Sequence, residues 1–533
     1  MRHPIRRLHR YCLIASAMAC TATSAMATNL YVDPAASGAV ANRYKTISEA
    51  VAVLKPGDHL NIAAGLYRES IVLPTRNWSA STPTVIQGTG QVVIDAADIV
   101  TGWISVGNGT FYHDWPAETA QVIVNGVLLQ QIGGTVFGGF PLAESNPYNG
   151  LLTSTGGIWP GRVNGDVSKL IDNSFYYDAA EKRLYVRTSH ADLNKWTVEV
   201  STRAHTLLAL NVAGVQIKNL IFRYGNTSIT GRDGVVTISG DNNVVDDVQI
   251  DRADSVGLEV DGDNNQIISS AAAWCGQVGM KARGSNVRIV NSTTNYNNTR
   301  GFNKWWEAGG IKLTGNNGLI NSVITGHTAI GNFGDGIWFD WGNQNDLIQN
   351  SISEYNTGFG IQYEASSGAQ IVGNRIIANG QRGIYLPQSS GSVVRNNLVA
   401  ANAMEGIAVI AEARTDPSGQ LDLQPVGNTV TGNVVAWNGY ALTVPGPGFN
   451  IAVDGNLYIG KGIQLREWYS WSLPFDNFAL WKQHTGLDLQ SLQVQLAMDP
   501  SFASSVQSKQ ENPDLSWVKR LPAMPILPVA AAK

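Results

Sequence analysis

A glycine followed by an aliphatic residue returns along the middle of this chain at Gly234-Val235, Gly257-Leu258, Gly279-Met280, Gly310-Ile311, Gly336-Ile337, Gly360-Ile361, Gly383-Ile384 and Gly406-Ile407, with steps of 23, 22, 31, 26, 24, 23 and 23 residues. A repeat of this length is one supersecondary unit that cannot bury its apolar face alone, so the units must stack into a solenoid. Each copy carries a short run rich in Val, Ile, Thr and Asn, and β-branched runs with period-two alternation favour strands over helices. A leucine-rich repeat has a similar period but needs a Leu-x-x-Leu-x-Leu frame and a helical segment, which these copies lack. The expected fold is all-β, a right-handed parallel β-helix over residues 201–445. Asn264-Asn265, Asn286, Asn317, Asn345, Asn350, Asn374 and Asn397 fall between copies, where left-handed corners and stacked amide ladders both favour Asn.

Alternation assigns faces to each copy. The second inward column reads Thr237, Val260, Ala282, Leu313, Phe339, Tyr363, Leu386 and Val409. The outward columns read Val236, Glu259, Lys281, Lys312, Trp338, Gln362, Tyr385 and Ala408, then Ile238, Asp261, Arg283, Thr314, Asp340, Glu364, Pro387 and Ile410. Charge and aromatics therefore concentrate outward in the middle coils.

The flanks do not follow the period. Residues 1–27 open on a basic stretch, continue apolar and reach Ala25-Met26-Ala27, the pattern of an export signal cleaved after Ala27 and not of a membrane span. Cleavage there removes Cys12 and Cys20, leaving Cys275 alone without an internal disulfide partner. It also changes the balance from 37 basic against 41 acidic groups to 33 against 41, or −8. A mildly acidic chain without basic blocks is a poor nucleic-acid binder. Residues 28–100 read as a cap and first coils, with Thr46 and Glu49 as a capping box for a short plugging helix. Residues 101–200 carry hairpin signals such as Asn125-Gly126 and suggest a small inserted β-sandwich. Residues 446–533 read as last coils and a helical cap, with Phe475, Phe478, Ala479 and Trp481 at helical spacing.

Asp340 and Glu364 are 24 residues apart, occupy one outward column, and lie on consecutive coils. Strands stack about 4.8 Å apart, so the two carboxyls sit roughly 5 Å apart, the separation used by retaining glycosidases. Two acids that close cannot both ionise cheaply, which divides them into an acid and a nucleophile. The longest step in the repeat adds the segment 295–308 with Arg300, Lys304, Trp305, Trp306 and Glu307. A Trp-bearing loop over such a shelf makes a saccharide cleft. Candidate substrate-binding residues are Glu307, Lys312, Trp338, Trp305, Trp306, Arg283 and Tyr385. His327 and His205 read as structural. Taken singly, outward acids are usually solvated surface, and Lys281, Lys312 and Arg283 equally suit a surface ion network.

Trp338-Phe339-Asp340, with Glu364 one coil on and Glu307-Ala308-Gly309-Gly310-Ile311-Lys312 one coil before, resembles β-helix glycoside hydrolases of the β-xylosidase and fucosidase type. The resemblance implies a β-sandwich insert, hydrolysis with Asp340 as nucleophile and Glu364 as acid/base, and a subsite supported by Glu307 and Lys312. The N-terminal pattern YVDP, TISEAV, PGD and GLYRE also resembles alginate-lyase-like and epimerase-like chains, and so marks fold, not reaction. The expectation is an exported, monomeric retaining hydrolase of a polysaccharide, periplasmic or extracellular, with no cofactor. One alternative is a lyase of a uronate-containing polymer, with Lys312 or Arg283 as base and a cation such as Ca²⁺ held by acids. A non-catalytic glycan-binding protein is the other.

Overall fold

The structure is a computed structural model and describes residues 27–36, 40–133, 165–227, 233–302, 304–305, 307–314, 319–412, 414–460, 465–467 and 475–522. The export signal, Asn317 and Trp306 lie outside the described residues. The chain winds into a parallel β-solenoid. One wall is a thirteen-stranded sheet that runs from Ile71–Val72 through Gly234–Ser239, Val256–Asp261, Val278–Ser285, Gly309–Thr314, Asp335–Asp340, Ile361–Glu364, Ile384–Pro387 and Glu405–Ile410 to Leu465–Glu467. The remaining walls join in a 23-stranded sheet. A single apolar cluster fills the bore from Leu30 to Trp481, removing an otherwise continuous hydrophobic surface from water.

The recurring glycine has a steric cause. A Cβ on Gly360 would lie 2.5 Å from the Gly383 carbonyl, 2.4 Å from Ile376 Cγ2 and 2.9 Å from Asn379 Nδ2. The same crowding by the next coil's glycine carbonyl and a neighbouring amide recurs at Gly279, Gly310, Gly336 and Gly383. Those amides are a ladder, Asn297, Asn332, Asn356, Asn379 and Asn402, all buried, and the half-buried Asn438, each Nδ2 donating to the next Oδ1 at 2.8–2.9 Å. Asn374, Asn397, Asn433 and Asn456 form a second ladder. Asn264, Asn286, Asn345 and Asn350 instead take left-handed corners with φ of 50–57°. The two roles that sequence merged thus fall on different asparagines.

Register differs from the alternation reading at the first copy. Val236, not Val235, pairs with Leu258, and Thr237 pairs with Glu259. Val236 and Ile238 therefore point into the bore and Thr237 belongs to the outward column. Both Val235 and Val236 are apolar and buried, so either fits the pattern, and a one-residue slip reverses every face. From Val256 onward the column assignments hold.

The N-terminal end is plugged by the helix Ile47–Val53, whose Thr46 and Glu49 close a reciprocal capping box and whose Ile47, Ala50 and Val51 are buried. At the other end Trp481, in the helix Phe478–Thr485, is fully buried and donates to Asp488 Oδ2 at 2.8 Å. Between Ala97 and Ser201 two small, mainly antiparallel sheets of four and five strands enclose their own core of Trp103, Phe111, Phe175 and Val198. This insert meets the solenoid where Gln121 donates to the Arg252 carbonyl at 2.9 Å and Arg300 donates to Gln131.

Candidate active site

Three parallel strands build the shelf. Gly309–Thr314, Asp335–Asp340 and Ile361–Glu364 pair so that Lys312 faces Trp338, Trp338 faces Gln362, and Asp340 faces Glu364 directly. Phe339 and Tyr363 occupy the intervening inward positions and are fully buried, with the Tyr363 hydroxyl donating to Asp346 at 3.1 Å and to the Ser367 carbonyl at 2.9 Å. The outward side chains inherit fixed positions from that packing.

The two acids have unlike partners. Asp340 accepts from Lys312 Nζ at 3.0 Å and keeps about a quarter of its side chain exposed. Lys312 lies 3.3 Å above the Trp338 ring centroid, so its ammonium is pinned between a carboxylate and an aromatic face. Glu364 is buried; its Oε2 accepts from Trp338 Nε1 at 3.0 Å and Gln362 Nε2 at 2.6 Å, and its Oε1 meets Arg414. Burial first, and then the charge of Asp340, push the Glu364 carboxyl above its ordinary value, against the pull of Arg414 and Lys312. One acid thus rests against an ammonium, and its neighbour is biased toward the proton.

Asp335, at the head of the middle strand, is buried and accepts from the Phe359 backbone N–H at 2.8 Å. Burial pushes its carboxyl up to about 8. The two histidines singled out in the sequence lie elsewhere: His327 is buried beside Thr294 Oγ1 at 2.9 Å and burial lowers it to about 4, while His205 contacts the Gly234 carbonyl at 2.9 Å.

Two hollows flank the pair. One of about 280 Å³ lies over the coils of Trp338, Glu364 and Tyr385 and is walled by Lys304, Trp305 and Arg414. The other, about 770 Å³, lies over the preceding coils, with Lys281, Arg283, Lys312 and Trp341 on its wall. Trp338, Trp305, Tyr385 and Lys312 therefore gather around the acids. Glu307 is set deeper, buried against Lys281 Nζ at 3.1 Å. Arg283 pairs with Asp261 at 2.6 Å, in the second hollow and away from Glu364. Among the described residues no three His, Cys, Asp or Glu side chains converge as a metal site.

Arg414 and Glu412 escaped the sequence reading. Both come from the loop between Glu405–Ile410 and Thr429–Thr431, which borders both hollows. Arg414 Nε pairs with Glu412 at 3.1 Å, and the Tyr385 hydroxyl donates to Glu412. The signal was present in the repeat: Ile407 pairs with Leu442, a step of 35 residues where neighbouring steps are 23.

Residues 304–458, which carry Asp340, Glu364 and Arg414, match the family described as Right handed beta helix region. The chain has that fold. Among solved structures it is similar to the complex of XylC with xylose, at 14% identity and a TM-score of 0.56 over 83% of this chain and 84% of that one. It is also similar to a structure described as a glycoside hydrolase, with 12% identity, TM-score 0.44 and coverage of 83% and 94%. A PL6 family alginate lyase, AlyGC, matches at 12% identity and TM-score 0.45 over 89% of this chain and 54% of that one. These neighbours are carbohydrate-active β-helix proteins. No curated protein matches the chain. Among the described residues no helix is long and apolar enough to cross a membrane.

Proposed function

We propose that this chain is an exported polysaccharide-degrading enzyme, a retaining glycoside hydrolase in which Asp340 is the nucleophile and Glu364 the acid/base. The observation that carries the reading is the direct register of the two carboxyls on adjacent strands, with unlike partners. Glu364 gives its proton to the glycosidic oxygen as the bond to the leaving sugar breaks, and an Asp340 oxygen bonds to the anomeric carbon. Glu364, now ionised, takes a proton from water, whose oxygen attacks the same carbon and releases Asp340. Lys312, 3.0 Å from Asp340, holds the nucleophile in place before attack, and no cofactor enters either step. Elimination would need Lys312 or Arg283 as base, and both are already engaged in ion pairs, with Asp340 and Asp261.

The test compares wild type, Asp340→Ala and Glu364→Gln on a panel of exopolysaccharides, scoring reducing ends and ultraviolet-absorbing unsaturated ends together. The expected result is reducing ends from wild type only. Unsaturated ends would replace this reading with a lyase, and glycan retention without any new ends would replace it with a binding protein.

A further inference from the structure

The smaller hollow contains three cations, and two of them are already matched. Arg382 Nε pairs with Glu405 at 2.7 Å and lies 4.4 Å from the Tyr385 ring centroid. Arg414 spans Glu364 and Glu412. Lys304 is different. It is only 7% exposed, yet among the described residues its ammonium forms no ion pair with a carboxylate. Its Nζ donates to the Thr357 carbonyl at 3.1 Å and lies 5.1 Å from the Trp305 ring centroid. An ammonium has three donors, so two remain for the hollow that it lines. Asp335 shares this hollow without forming an ion pair with Lys304; burial pushes its carboxyl up to about 8 and lowers the Lys304 ammonium, which the Asp335 charge only partly offsets. Burying an ammonium without a counter-charge is costly, and the cost is recovered when an anion arrives.

We infer that the hollow beside Glu364 is a subsite for an anionic sugar residue, whose acidic group pairs with Lys304 while Trp305 carries its ring. Trp305 suits that part: it is 38% exposed at the mouth and is braced edge-on against Phe359 at 6.0 Å between centroids. The acidic group is a uronic carboxylate or a sulfate ester, and both would meet the same ammonium. This assignment rests on the proposed hydrolase reading for the role of Glu364, but the binding it describes does not need turnover.

The test therefore measures binding and cleavage separately. Isothermal titration on Asp340→Asn, alone and combined with Lys304→Met or Lys304→Arg, uses three probes on one oligosaccharide backbone: glucuronic-acid-bearing, carboxyl-reduced, and sulfated. One of the anionic probes is expected to bind at least about tenfold more tightly than the neutral one, as for a desolvated charge pair. Lys304→Met should erase that preference, whereas Lys304→Arg should keep most of it. Which anionic probe binds more tightly identifies the acidic group. Equal binding of neutral and anionic probes would overturn the proposal, as would a Lys304→Met variant that keeps the preference. If the anionic preference appears while wild type releases no reducing ends, the subsite stands and the hydrolase reading falls.

Discussion

Asp340 and Glu364 are like groups in one column, and their neighbours make them unlike. Glu364→Gln is expected to lower turnover by about 10²–10⁴, the usual worth of one positioned acid–base group, and Asp340→Ala, which removes the nucleophile, by at least as much; Asp340→Ala should also lower thermal stability, since it leaves the buried Lys312 ammonium without its carboxylate. Glu364 must be protonated to act, so activity should fall as pH rises through its raised pKa. Arg414 pulls that pKa down. Arg414→Met should therefore move the alkaline limb of the pH–rate profile to higher pH, and an unmoved limb would show that Arg414 does not sense the acid. The two carboxyls were legible in the sequence because strand alternation and the repeat length together fix which side chains share a column. Arg414 was not, because it reaches Glu364 from a loop whose course no periodicity sets.

At the scale of the coil, the glycine column and the Asn ladder are one device: the absent Cβ lets the amides approach and bond from turn to turn. Asn379 shows how completely the amide is used. Its Oδ1 accepts from Asn356 N–H and Nδ2 at 3.2 and 2.9 Å, and its Nδ2 donates to Asn402 Oδ1 and the Ser353 carbonyl at 2.9 and 3.0 Å. Asn379→Ala strands these buried groups and should cost about 1–3 kcal/mol in denaturant unfolding. Gly360→Ala should cost on the order of 1–3 kcal/mol by overpacking. A neutral Gly360→Ala would contradict the steric account of the repeat. The glycine spacing announced this architecture. It left the first copy ambiguous because Val235 and Val236 are equally apolar, and it could not divide the asparagines between corners and ladders, since both roles suit the same side chain.

Across the whole molecule, several buried carboxyls favour their protons. Burial raises Asp254 to about 6, Asp346 and Glu354 to about 7, and Asp335 to about 8. Each ordinarily titrates near 4, so between about pH 4 and pH 8 the folded chain binds more protons than the unfolded one. Their stabilising contribution is complete below that window and is lost as pH rises through it. Thermal unfolding followed at constant ionic strength should give a Tm that falls from mildly acidic to mildly alkaline pH, less steeply in Asp335→Asn. In the proposed reaction the stacked pair cleaves glycosidic bonds with retention. Proton NMR of the first-formed product from an oligosaccharide substrate tests it most directly. The expected result is a product with the anomeric configuration of the bond cleaved, absent from Asp340→Ala; an inverted anomer, or undiminished product from that variant, would contradict it.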